Sequence, residues 1–422
     1  MAGAAELDRE RIRELFDLRR RGDARGATLE PFVYSDDPYP MLQRLRETGP
    51  VHEGIVHELI GFDKPAFFQG LPEPDRAHFS VFDFATCDRV FRDEEIFRSS
   101  GQEVRGAEGG SMGNSMLYMN GPQHRRYRSL VQPSFVPKKA EWWITNWIHS
   151  TVNALIDGFE ADGRAELNVD FDAAIPVLTI TGSFGFAVED ALDIRSALGI
   201  GGQGVDTLAS YLYPVIEARH VAPADDLISV LCQAEIADED GQRHRLSDDE
   251  IFSFSHLLLA AGSGTTWKQL GITLYALLTH PHLLEAVRED RSLLKAAIEE
   301  SLRWCPTDPM FSRYAARDVE LGGVDIPAGA VVHLSLGAAN RDPARYDRPD
   351  EYDPLRPLIP GIGFGGGPHV CLGQHVARAE MSVAIDALLE RLPNLRLDPE
   401  AEAPQLIGMY ERGPTQLPVV WG

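Results

Sequence analysis

The chain has 422 residues, 44% hydrophobic and 25% charged, an ordinary globular composition. With 40 Lys and Arg against 64 Asp and Glu, the formal charge is −24, which argues against a phosphate-binding face and so against nucleic acid as a partner. The first 22 residues are densely charged and hold no apolar run of signal-peptide or membrane-spanning length, so a cytoplasmic, membrane-free and monomeric protein is expected.

Spaced Leu, Ile and Phe predict short amphipathic helices over 8–22 and 38–48, and 50–82 reads as strand-like pieces between Pro and Gly turns. Residues 98–116 are rich in Gly and Ser and read as a mobile loop of the kind that covers a binding site. Apolar spacing near 3.6 predicts helices over 122–132, 139–160 and 172–186, while 190–222 is helical but interrupted by Gly-Ile-Gly-Gly-Gln-Gly. The longest helical candidate is 247–279. Ser247 opens it ahead of Asp248, Asp249 and Glu250, a cap followed by acids that suit the helix dipole. Gly262 and Gly264 lie inside it, each costing about 1 kcal/mol against Ala, so something must compensate, such as a ligand approaching the backbone. One or two helices over 282–304, short strands within 319–335 and 405–421, and a helix over 373–391 complete a mainly α reading with small β-sheets. There is no internal repeat and no interdomain linker, so a single domain over 1–422 is expected.

The four cysteines, Cys87, Cys232, Cys305 and Cys371, are far apart and form no C-x-x-C pair, which predicts a reducing compartment with at most one cysteine doing chemistry. A lone Cys is ordinarily a small buried hydrophobe. The segment Phe364-Gly365-Gly366-Gly367-Pro368-His369-Val370-Cys371-Leu372-Gly373 overturns that reading for Cys371. Its glycines and proline make a rigid turn that lets backbone approach the sulfur. The helix that follows aims its N-terminal amides and dipole at the thiolate.

This segment resembles the haem-binding signature of the cytochromes P450: an aromatic, two glycines, a basic residue two before the Cys and a Gly two after it. The resemblance runs from about residue 30 to the C-terminus, leaving 1–30 as an extension. It implies a single-domain fold shaped as a triangular prism, with haem b between a long distal helix and the cysteine loop. Cys371 would be the axial ligand, with Phe364, Gly365, Gly373 and Gly262 around the cofactor. Glu300 and Arg303 form an E-x-x-R, which alone is a common i,i+3 pair on a solvated helix face; in this family the pair is joined by an arginine matching Arg356 in a buried structural network. His124 and Arg128, four apart on one helix face, read alone as a basic surface patch. With Cys371 in place they become, with Arg313 and His369, ligands of the haem propionates. Arg125, Arg126, Lys138 and Lys139 would form a docking face for an acidic ferredoxin, which with its NAD(P)H-dependent reductase supplies electrons.

Ala261-Gly262-Ser263-Gly264-Thr265-Thr266 falls where the family carries its oxygen-activation motif. A Thr hydroxyl bonded one turn back can open the helix there, and the resemblance assigns Thr265, beside Thr266, to proton relay at bound dioxygen. The usual acid before the threonine is Gly264 here. Either protons arrive through water or another carboxylate, with Glu411 a candidate against a solvated hairpin role, or oxygen activation depends on the substrate. By position, Leu257, Ala260, Ala261, Pro309, Met310, Phe311, Met409 and Tyr410 would line an apolar substrate pocket, closed in part by 98–117. The stretch 190–225 looks shorter than the usual lid, and 51–80 looks longer. The expected reaction is insertion of one atom of dioxygen into a hydrophobic small molecule. A peroxide-driven or isomerase-like enzyme, hinted at by Gly264, and a non-catalytic haem protein are the alternatives.

Overall fold

The computed structural model describes residues 8–16, 37–62, 73–99, 115–198, 204–237 and 241–422. The helices that frame the interior are α1 (Gly121–Val131), α2 (Ala174–Ser183), α3 (Val205–Val221), α4 (Asp248–Gly264), α5 (Thr266–Thr279), α6 (Leu294–Trp304) and α7 (Gln374–Arg391). α2 and α5 are buried along nearly their whole length, α5 even at Lys268 and Gln269. α4 packs on α2 and α3, and α5 packs on α6 and α7.

The expected long helix over 247–279 is two helices, broken at Thr265, whose φ of −98° and ψ of −41° belong to the residue between them. The Thr265 hydroxyl donates to the Ala261 carbonyl, 3.3 Å away, one turn back. The N-terminal cap forms as read: the Ser247 hydroxyl accepts from the Glu250 amide, and the Glu250 carboxylate accepts from the Ser247 amide. Gly262 is explained by packing rather than by a ligand, since a Cβ there would sit 2.9 Å from Cγ1 of Ile180 on α2.

The main sheet joins β1 (Val51–Glu53), β2 (His78–Val81), β3 (Phe97–Arg98), β4 (Met310–Ala315) and β5 (Val331–Ser335) in the order β1-β2-β5-β4-β3. β2 and β5 run parallel, with His78 opposite Val331; the other pairs are antiparallel, with Arg313 opposite Val332. Strands at Val319–Leu321 and Val324–Ile326 form a hairpin, and Pro418–Val420 pairs with Arg396–Leu397 and Arg164–Glu166. β4 is not among the strands expected over 319–335 and 405–421.

Smaller differences follow from local backbone geometry. The helix expected over 139–160 is Ala140–Trp143 and His149–Asp157 joined by a π-helical stretch, Ile144–Ile148. Residues 190–222 hold Ala191–Ala197 and α3. The interruption at 199–203, most of the 98–117 loop and the continuation of the first helix beyond Phe16 lie outside the described residues. Among the described residues no helix is long and apolar enough to cross a membrane.

Candidate active site

The cysteine loop is shaped by backbone that only glycine tolerates. Gly367 has φ +62°, and a Cβ on it would lie 2.0 Å from the Phe91 carbonyl oxygen. The loop therefore lies flat against the helix Phe84–Arg92 and turns back on itself, with the Cys371 amide donating to the Phe364 carbonyl at 2.9 Å. α7 begins at Gln374, three residues on. Burial pushes the Cys371 thiol up, and a hydrogen bond from the Gly373 backbone opposes that.

Cys371 opens into a cavity of about 360 Å³. Its loop wall carries Phe364, Gly365 and Gly373; its helix wall carries Leu257, Ala261, Gly262, Thr265 and Thr266. Phe311 from β4 and Met116 and Leu117 from the end of the 98–117 loop complete the apolar surface.

One end of this cavity gathers His124, Arg128, Arg313 and His369. The two imidazoles stack with centroids 3.7 Å apart. His124 Nδ1 and His369 Nε2 are buried without a hydrogen-bond partner. Arg128 donates to the Val370 carbonyl at 2.7 Å and Arg313 to its neighbour's carbonyl, and neither forms an ion pair with a described carboxylate. Burial and the adjacent cations push His124 down to about 4 and His369 to about 2, and burial alone lowers Arg313 to about 10. Orphaned buried imidazole nitrogens beside guanidiniums without a carboxylate partner fit a pair of carboxylates entering from the cavity, whose charge would favour the protonated rings; haem propionates are such a pair. Haem therefore fits the residues present, which would hold its acids at this end and its iron at Cys371.

Behind the loop, Arg303 donates two bonds to the Glu300 carboxylate, both at 2.8 Å, and Arg356 Nε lies 2.9 Å from the same carboxylate. Arg303 and Arg356 thus both lie within bonding distance of Glu300, and Arg303 also donates to the carbonyls of Asn340 and Pro349. On the surface, Arg125 pairs with Glu94, Lys138 and Lys139 are exposed, and the Lys139 ammonium sits 5.3 Å from the Trp142 ring centroid. Arg126 is half-buried next to them.

Several expected lining residues are elsewhere. Ala260 packs against the main core and Gly264 is buried, neither of them on the cavity. Side chains alternate along β4, so Phe311 and Arg313 reach the cavity while Met310 points to the other face, into a cluster with Tyr39, Phe82, Met409 and Tyr410. Pro309 leads into that strand, and its carbonyl accepts from the Gly337 amide. Tyr410 is held there by a hydrogen bond with His57. Glu411 does not line the cavity; it forms an ion pair with Lys268, whose side chain is 1% exposed.

The cavity also holds residues that the sequence reading did not name, among them Ile180, Gln269, Asp308 and Glu380. Glu380 is buried on α7 beside the hydroxyls of Thr179 and Thr266, and its burial raises it from 4.5 to about 8. A signal for it was present: Val376, Glu380, Ala384 and Leu388 form an i,i+4 stripe in which one acid interrupts an apolar face.

A haem-thiolate protein is the class that this fold and cavity define. The sequence model of the family described as Cytochrome P450 matches residues 202–406. The cytochrome P450 monooxygenase PikC of Streptomyces venezuelae is 31% identical, over 92% of this chain and 92% of its own length. The mycinamicin IV hydroxylase/epoxidase of Micromonospora griseorubida is 36% identical, over 72% of this chain and 79% of its own. The crystal structure of CYP109E1 from Bacillus megaterium in complex with testosterone matches with a TM-score of 0.78 at 27% identity, covering 92% of this chain and 100% of that one. P450BioI in complex with a fatty-acid-ligated acyl carrier protein matches equally, at 28% identity over 92% and 99%. The chain belongs to the cytochrome P450 family, and it is an oxidoreductase of the monooxygenase type.

Proposed function

We propose that this monooxygenase hydroxylates, or oxidises in a related way, a hydrophobic small molecule, using haem b bound through Cys371 and electrons from a separate acidic ferredoxin and its NAD(P)H-dependent reductase. The observation that carries this reading is a single mainly apolar cavity with Cys371 on its loop wall and the threonine-broken helix on another. Bound haem supplies the activation of dioxygen. The chain supplies the rest. His124, Arg128, Arg313 and His369 hold the propionates, and Phe364, Gly365 and Gly373 let the ring lie close to the loop, while Gly262 serves the packing of α4 on α2. Leu257, Ala261 and Phe311 position the apolar substrate and exclude water.

Proton delivery falls to Glu380 rather than Glu411. Its raised pKa keeps the carboxyl protonated at neutral pH, and it faces the cavity with Thr266, the neighbour of Thr265. Glu411 is engaged with Lys268 instead. Lys138, Lys139, Arg125 and Arg126 form the docking face for the electron donor on an otherwise acidic protein, and the protein acts as a cytoplasmic monomer.

Titrating the purified ferric protein with a panel of hydrophobic compounds tests the pocket. A low-spin to high-spin change in absorption with one chemical class supports it; a haem-thiolate spectrum unmoved by any class rejects an apolar small-molecule pocket. Replacing Cys371 with Ser should abolish the long-wavelength carbon monoxide band of the reduced protein, and its survival would refute the ligand assignment. Gly264 favours one second reading, use of peroxide in place of dioxygen and electrons. Product formation with peroxide at full rate and none with redox partners would establish it.

A further inference from the structure

The wall between α6 and β4 carries a charge that the reaction does not use. Asp308 lies in the segment joining those elements, lines the cavity together with Thr265 and Phe311, and is only half-buried in the structure. No hydrogen bond or ion pair reaches its carboxylate among the described residues. The other polar groups of that wall are satisfied. Gln269 accepts from the Thr307 amide at 2.8 Å and donates to the Ser301 hydroxyl at 3.2 Å, and Thr307 donates to the Arg412 carbonyl at 2.9 Å. Asp308 is thus the unpaired group of this wall, an arrangement that is costly in an apolar cavity unless a partner enters.

We propose that Asp308 is a specificity-determining residue which selects substrates carrying a basic nitrogen on an apolar body, the ammonium docking on its carboxylate and fixing which carbon faces the reaction centre. This rests on the monooxygenase reading of the same cavity. The charges behind the wall favour a cation. Burial and the Glu411 carboxylate both raise Asp308, to about 7, against the opposing Lys268 ammonium, which is itself paired with Glu411. An incoming cation relieves the desolvated carboxylate, whereas an anionic substrate meets repulsion from it and a neutral one leaves it unpaired.

The test uses the haem-loaded full chain at pH about 8, where Asp308 is mostly ionised. Phenylbutyltrimethylammonium is compared by calorimetry with an uncharged tertiary alcohol of the same length and bulk; the quaternary nitrogen has no lone pair, so it does not ligate iron. The ammonium should bind about tenfold more tightly, equivalent to about 1.4 kcal/mol. Asp308→Asn, with haem content and carbon monoxide band intact, should lose that preference. The inference is overturned if the alcohol binds as well as the ammonium, if neither binds, or if Asp308→Asn keeps the preference. Should that variant not fold, the comparison of the two probes on the unaltered protein decides alone. Loss of the thiolate band in the unaltered protein would instead sink the monooxygenase reading.

Discussion

Arg303 shows how much one side chain is asked to hold. It is 2% exposed, takes both oxygens of Glu300, and donates to backbone carbonyls of the segment that leads to the cysteine loop. Removing one member of such a pair leaves the other charged and buried, which costs about 3–5 kcal/mol. Arg303→Ala should therefore lose that much in urea unfolding and bind haem poorly. The pairs of the exposed Arg348 with Glu351 and Asp353 differ in kind, and Arg348→Ala should leave the urea midpoint nearly unchanged. Equal effects from the two substitutions would refute the structural role of the network.

The elements carry two further expectations. α4 starts with a reciprocal cap, Ser247 with Glu250, so Ser247→Ala should cost about 1 kcal/mol and leave substrate-induced spectral changes intact. Where α4 crosses α2, a methyl on Gly262 meets Ile180 at 2.9 Å. Gly262→Ala should destabilise by about 1–3 kcal/mol despite the better helix propensity of Ala, and Ile180→Ala should rescue much of that loss. A Gly262→Ala protein as stable as the parent would mean that the crossing relaxes freely.

For the whole molecule, the buried acids set the pH response. Glu380 has a folded-state pKa of about 8 against an ordinary 4.5. The folded state then holds a proton that the unfolded chain has released, so this contribution is fully present below pH 4.5 and is lost as pH rises through about 8. Unfolding free energy should fall across that window by at most about 1.4 kcal/mol per pH unit from this group. Comparing the parent with Glu380→Gln isolates the effect from other buried acids such as Asp172. Parallel pH profiles would refute the assignment. At this scale the ligand matters too: because haem binds only the folded chain, its removal should lower the unfolding temperature.

The resemblance alone brought in Arg356, Arg313 and His369; the sequence by itself determined the family, the cysteine loop and the pairs Glu300–Arg303 and His124–Arg128. Those depend on short local patterns whose spacing survives folding: glycines that no other residue replaces, and i,i+3 or i,i+4 pairs on one helix face. It also placed most helices, because their apolar period is local. Only the tertiary structure decided which residues near those motifs face the cavity. Met310, Met409 and Tyr410 read as pocket residues by position, yet strand alternation and packing around Tyr39 and Phe82 turn them away. The same packing pairs Lys268 with Glu411, brings Glu380 to Thr266 and leaves Asp308 open to the cavity. These contacts join segments far apart in the chain, and no pattern within one segment encodes them.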